Sequence, residues 1–317
     1  MSVPSSRWRV HLVLLTVSIC FGLHYYWGKE VLASFDDPGW PMAWSALRVS
    51  AAAGLLLALA VFRGNWRLPG PDLLKLAGLS ALGIVLNQAC FIEGLQRTTP
   101  TQAALINTSI PVLTLLAARL MGQETLGWRK AAGIVLAIAG ASVLLLPKVS
   151  AEAGGASTER WGNALVLANA CSFSLFLVLS RPLLRRTDAL AATAWIFVFG
   201  AIGLDLLAGP ALMRISLGQV PHRAWAFGIL IIVFATVLTY ALNSWALRRV
   251  EASTVAAYIY LQPLIAGVCE ALFLGGRFGL SMAVSGALVF TGVALGTARG
   301  SHVTAVQAQC LVRRPVP

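Results

Sequence analysis

From Trp8 to about Thr297 the chain alternates between apolar stretches of about 20 residues and short polar joints. An α-helix rises 1.5 Å per residue, so a stretch of that length crosses a ~30 Å hydrocarbon core. The pattern predicts ten helical spans, over 9–30, 42–62, 73–93, 99–120, 128–147, 161–180, 190–209, 224–247, 253–274 and 280–298. The longest joint between spans, 148–160, leaves no room for a soluble domain. The expected fold class is therefore all-α integral membrane, with ten transmembrane helices. Arg7 to Arg9 followed by an apolar run imitates a signal peptide, but no small-x-small cleavage site follows cleanly. The run ends in Tyr25-Tyr26-Trp27, an interfacial aromatic cluster, and reads as an uncleaved first span.

Laying the sequence on itself at a shift of 152 residues superposes span 4 on span 9 and Pro111 on Pro263. At the same shift Phe21 meets Phe173, Leu86 meets Leu238, Arg97 meets Arg249, Gly127 meets Gly279 and Gly140 meets Gly292. Matched leucines mean little in so biased a composition; matched Pro, Arg and Gly at one ungapped register mean more. Each half holds five spans, an odd number, so the second half enters from the opposite side of the membrane. Two five-helix inverted repeats are the architecture of many secondary transporters, with the substrate site near the midplane between the repeats. Pro111 and Pro263 fall near the middle of their predicted spans, where a proline frees a carbonyl one turn back and allows a kink.

Composition supports the membrane reading. Charged residues make up 11% of the chain and hydrophobic residues 58%, where a soluble domain carries roughly 25% charged residues. The net charge of +12 is spread in ones to threes at span ends and forms no stripe, so nucleic acid is excluded as a partner. Of the 24 Lys and Arg, 16 fall on the termini and even-numbered joints, 7 on the odd-numbered joints, and Arg48 lies inside span 2. The positive-inside rule then puts both termini in the cytoplasm; the expected location is a plasma membrane, the bacterial inner membrane. Cys20, Cys90, Cys171 and Cys269 are dispersed in spans, the four histidines are dispersed as well, and no metal site or other cofactor is expected.

Ionisable groups are costly inside a bilayer and usually face a cavity or a partner. Arg48 lies a few residues inside span 2 and can snorkel outward or pair with an acid. Glu93, Asp205 and Glu270 all fall toward the same membrane half, level with Lys29 and Glu30, and read as either an external ion-pair gate or helix ends meeting headgroups. His24, in span 1, has a near-neutral pKa and is a candidate proton relay, as is Glu270. Uncharged polar residues sit deeper: Asn87 and Gln88 in span 3, Asn107 before Pro111 in span 4, Asn169 in span 6, Tyr240 in span 8, and Tyr258 and Gln262 before Pro263 in span 9. Together they form the substrate-site hypothesis, a neutral hydrogen-bonding cavity for a small polar or zwitterionic molecule. The bland alternative is hydrogen bonding between helices. Tyr258 and Gln262 share a helix face by i,i+4 spacing, as do Asn107 and Pro111. Gly292-x-x-x-Gly296 in span 10 permits close helix contact, inside the protein or in a homodimer.

The ordered series Phe21-Gly22, Lys29, Leu47-Arg48-Val49, Phe91 to Leu95, Thr98 to Ala104, Pro111 and Gly122-Gln123-Glu124 resembles the drug/metabolite transporter superfamily. The likeness is to its ten-helix carriers built from two EamA domains. It continues through Ser174-Leu175, Ser180-Arg181 and Ala246-Leu247 to Pro263 and covers nearly the whole chain. The resemblance implies a first EamA-like repeat over 8–147, a linker over 148–160, a second repeat over 161–299 and a cytoplasmic tail over 300–317. The chain departs from the family pattern at Phe21-Gly22, where Trp-Gly is usual, and at Gly275-Gly276-Arg277, where a Glu commonly follows the second repeat's fourth span. Four-helix multidrug exporters of the superfamily use a Glu deep in their first helix. Span 1 here has no acid before Glu30, which argues against export of lipophilic cations.

The resemblance implies a secondary transporter, an exporter of small polar metabolites such as amino acids, working in the lipid bilayer by alternating access. Export of lipophilic drugs or toxins is the alternative; a receptor or channel lacks its sensory loop, output domain or pore ring. The chain shows no P-loop and no convergent catalytic set, so no enzyme is expected.

Overall fold

The computed structural model describes residues 7–34, 36–98, 103, 106–152, 157–265, 268 and 280–297. Within them lie ten long helical elements, besides a short 3-10 turn at Leu217–Gln219: α1 (Arg7–Leu32), α2 (Trp40–Phe62), α3 (Gly70–Leu95), α4 (Ile110–Leu120), α5 (Trp128–Glu152), α6 (Ser157–Arg186), α7 (Ala189–Leu212), α8 (His222–Leu247), α9 (Ala252–Ile265) and α10 (Leu280–Thr297). Five contain windows long and apolar enough to cross a membrane, namely α2, α3, α6, α7 and α8; shorter apolar runs lie in α1, α4, α9 and α10. Large apolar side chains such as Phe62, Leu74, Leu120 and Leu206 point outward, as a lipid-facing surface requires.

Local chemistry sets the helix ends. Proline occupies the first turn of α2, α3 and α4, where its missing N–H is not needed. Asp188 caps α7, its Oδ1 accepting from the Leu190 and Ala191 amides at 3.0 Å. Gly122 closes α4 with φ +67°, a conformation that suits glycine, and the Gln123 amide then returns to the Ala118 carbonyl at 2.8 Å.

The packing follows the internal repeat. The two most extensive helix contacts are α5 with α10 and α2 with α7, each pairing an element with its repeat mate. α3 packs on α6, and the repeat-related pair α8 and α1 does the same. Along α5 and α10 the relation reaches individual residues. A Cβ on Gly133 would lie 2.6 Å from the Gly292 carbonyl oxygen, and one on Gly140 would lie 2.9 Å from the Ser285 carbonyl oxygen. At the 152-residue shift, Gly133 corresponds to Ser285 and Gly140 to Gly292, so these are one contact seen twice. The small-residue stripe expected to serve either internal packing or a homodimer is thus used within the chain.

Both α3 and α8 are interrupted by a π-helical stretch, Ala81–Leu86 and Ile231–Leu238. The stretches end at repeat-equivalent leucines, immediately before Asn87-Gln88 and Thr239-Tyr240. π-turns of this kind concentrate at functional sites. Of the expected span over 99–120, positions 99–102 and 104–105 lie outside the described residues; Thr108 and Ser109 form a turn between the helical Ile106-Asn107 and α4, which starts at Ile110. Pro111 therefore stands in the first turn of a helix and not in the middle of one, because it cannot donate to the preceding turn. Before Pro263, α9 tightens to a 3-10 turn over Tyr258–Tyr260.

Candidate substrate site

Four helices bring their polar residues together between the repeats. Gln88, on α3 just past the π-helical stretch, is the hub. Its Oε1 accepts from Arg48 Nη2 of α2 at 2.8 Å and from Ser45 Oγ at 3.1 Å. Its Nε2 donates to Asn87 Oδ1 at 3.3 Å, and its side chain faces the Tyr240 hydroxyl of α8. Arg48 Nη1 lies 3.4 Å from His24 Nε2 of α1, a weak contact, while Arg48 Nε and His24 Nδ1 have no hydrogen-bond partner. Tyr240 is fixed edge-on between Phe197 and Phe21.

Gln88 and Tyr240 correspond at the 152-residue shift. Repeat mates that face each other at close range lie beside the pseudo-two-fold axis, and that axis runs in the membrane midplane. The cluster therefore sits at mid-depth. Counting residues from the predicted span ends placed Arg48 in one membrane half, snorkelling or paired with an acid. It does neither among the described residues: a glutamine and a histidine face it, and no described carboxylate is within ion-pair distance.

The expected residues separate into groups. His24, Arg48, Asn87, Gln88 and Tyr240 are brought together. Asn169 joins them through the backbone, its Nδ2 donating to the Asn87 carbonyl at 2.9 Å, and so props α3 against α6. Tyr258 lies apart from them, its hydroxyl 2.7 Å from His11 Nδ1 near the start of α1 and its carbonyl accepting from Ser18 Oγ at 2.9 Å. Tyr258 and Gln262 do not keep a simple i,i+4 face, because the 3-10 turn over Tyr258–Tyr260 changes the winding between them. Asn107 is half-buried with an unpartnered Oδ1, and Pro111 is buried. Gln262 and Pro263 are half-buried on α9.

Of the described members of the expected external gate, Glu30 of α1 pairs with Arg223 of α8 at 3.2 Å, an ion pair between the repeats, while Glu93 and Asp205 do not join it. Glu93 is taken by Arg97, one turn along the same segment. Asp205 accepts from Ser50 Oγ of α2 at 2.9 Å and is exposed on the flank of the bundle. Ser50 is in the middle of α2, so Asp205 lies near mid-depth and not at a helix end. Lys29 lies on α1, its side chain outside the described residues, and Glu270 falls outside them altogether.

A second polar cluster was not expected from the sequence. At the end where Arg63, Arg119, Arg185 and Arg249 gather, the buried Glu124 carboxylate accepts from Lys130 Nζ at 3.1 Å and from the Ser253 amide at 3.2 Å. The Ser253 hydroxyl also donates to it, and Lys130 pairs in addition with Glu251. Arg181 Nε donates to the Val250 carbonyl at 3.0 Å, and Gln123 Nε2 to the Val178 carbonyl at 3.2 Å. This latch ties the α4–α5 joint of the first repeat to the start of α9 and the end of α6 in the second. The Gly122-Gln123-Glu124 run was the only sequence signal for it. Elsewhere, an apolar groove of about 380 Å³ lies between α4 and α6, lined by Ile106, Ser109, Asn163, Ala164 and Leu167; none of the central residues lines it.

A bundle of inverted repeats with a desolvated polar cluster on its axis defines a multi-pass membrane transporter. The sequence profile of the EamA-like transporter family matches residues 8–146 and 160–297. The chain belongs to that family. It is similar to Protein WALLS ARE THIN 1 of Arabidopsis thaliana, 28% identical over 90% of this chain and 81% of that one. An uncharacterized transporter of Archaeoglobus fulgidus is 27% identical over 92% of this chain and 98% of its own. A probable terminal-alkyne amino-acid exporter of Streptantibioticus cattleyicolor is 27% identical over 81% and 89%. These relatives include named transporters, in keeping with the expectation that the chain is not an enzyme. A solved crystal structure superposes with a TM-score of 0.73 over 96% of this chain and 99% of that one, at 19% identity, a likeness of fold.

Proposed function

We propose that this protein is a secondary transporter that exports small polar metabolites across a plasma membrane, the bacterial inner membrane, with both termini cytoplasmic. The observation that carries this reading is the polar cluster between the repeats: Arg48 bonded to Gln88 with His24 beside it, and Tyr240, the repeat mate of Gln88, facing them. A substrate held there touches both repeats. Rocking of one repeat against the other then exposes it to either side, which is alternating access. The Glu124–Lys130–Glu251 latch closes the arginine-rich end in the state seen here and must part for substrate to enter from that side. A relative named as a probable amino-acid exporter supports a polar substrate and the outward direction.

The test is counterflow in proteoliposomes with pooled labelled amino acids, nucleosides and sugars. Saturable accumulation that falls at least 10-fold in a Gln88→Ala, Tyr240→Ala double variant is the expected result. No accumulation from any pool, with protein shown to be folded, would overturn the reading.

A further inference from the structure

We propose that Arg48 is the carboxylate clamp of the transport site, so that the protein selects small polar molecules bearing one carboxylate; the inference rests on the transporter reading above. A guanidinium at mid-depth is costly and is kept where something neutralises it. Among the described residues, the carboxylates nearest the membrane interior are committed elsewhere: Glu93 to Arg97, Asp205 to Ser50, and Glu124 and Glu251 to Lys130. What surrounds Arg48 is neutral. Gln88 takes Nη2, the His24 ring stands 3.4 Å from Nη1, and Nε is buried with no partner. The free Nε lies on the same edge of the guanidinium as Nη2, and a planar carboxylate matches that fork, sharing or displacing Gln88 at Nη2, while Nη1 is only weakly held.

The number of charges narrows the class. One guanidinium among neutral amides, a phenol and an imidazole balances one negative charge. A phosphate dianion would need a second cation, and the described residues of the cluster supply none. A neutral sugar or nucleoside would leave the guanidinium buried and unbalanced. The position of Arg48 also gives the clamp a mechanical role. It sits against α1 and α3 of the first repeat and, through Gln88, against α8 of the second, so neutralising it bears on the contact between the repeats.

The experiment uses full-length protein in nanodiscs and in proteoliposomes, with amino acids and 2-hydroxy acids each paired with its own primary amide. Thermal stabilisation reads binding and counterflow reads transport. The expected result is that acids stabilise the wild type and exchange, while their amides bind about 10- to 100-fold more weakly. Arg48→Gln should erase the difference between acid and amide, and Arg48→Lys should restore part of it. The comparison of acid with amide on the wild type stands even where a variant fails to fold.

Equal response to acid and amide, response to nucleosides or sugars alone, or an acid preference that survives in folded Arg48→Gln would overturn the clamp. Counterflow of neutral substrates alone sinks the clamp and leaves the transporter reading intact. Acid-selective stabilisation without any flux does the reverse.

Discussion

At the arginine-rich end, Lys130 lies between Glu124 and Glu251, Arg181 adds a second positive charge near both acids, and the Glu124 carboxylate also accepts from the Ser253 amide and hydroxyl. At mid-depth, Arg48 has for company a glutamine, an imidazole and a phenol, and one of its donors has no partner. Both regions join the two repeats, and each holds a buried charge, Glu124 in one and Arg48 in the other. They differ in whether the charge is balanced by the chain itself. A self-balanced cluster holds the protein in one state. An unbalanced one holds it only until something with the opposite charge arrives, and that difference separates a latch from a binding site.

The comparison can be broken first at the latch. Glu124→Ala leaves Lys130 partly buried with the more exposed Glu251 alone and strips the Ser253 amide of its acceptor. Removing one member of a buried pair costs about 3–5 kcal/mol, and the melting temperature in detergent should fall accordingly. Unchanged melting would mean that the latch carries no load.

A sharper test makes the centre resemble the latch. Gln88→Glu places a carboxylate against Arg48 and should stabilise the fold by about 1–3 kcal/mol, the range for a charge-assisted hydrogen bond. The same change should reduce counterflow of carboxylate substrates more than 10-fold, because the internal acid occupies the clamp. Greater stability with undiminished transport would show that Arg48 does not face the substrate. Gly292→Val tests the bearing between α5 and α10, where an added Cβ meets backbone at 2.6 Å; overpacking there should cost about 1–3 kcal/mol, read as a lower yield of folded monomer. The smallest effect belongs to Tyr258→Phe, which loses one hydrogen bond to His11, about 1 kcal/mol of stability. Its half-saturation for substrate should stay within a factor of two, since Tyr258 lies outside the central cluster.

The helices were legible because a bilayer imposes one length on every span: the predicted 42–62 and 190–209 are Trp40–Phe62 and Ala189–Leu212 in the structure. The repeat was legible because Pro, Arg and Gly keep one register. Depth was harder to read. Asp205 looks terminal when residues are counted from the end of an apolar run, yet Ser50 in the middle of α2 is its partner. The π-helical stretches left no trace in the hydropathy pattern, because their residues are as apolar as those around them, and without them the aim of Gln88 and Tyr240 could not be derived. Glu124 was visible only as part of a Gly-Gln-Glu joint; Ser253 and Glu251, which engage the same cluster, are more than a hundred residues away.

The two π-helical stretches carry a further consequence, one of history. Phe21 and Phe173, ahead of both stretches, stand 152 residues apart, and so do Arg97 and Arg249 beyond them. Both copies therefore hold the same number of residues across the distorted turn. An insertion into one copy after duplication would have shifted the register on its far side. The distortion therefore belongs to the repeat unit itself, at one register in both copies, and not to a residue added to either copy alone.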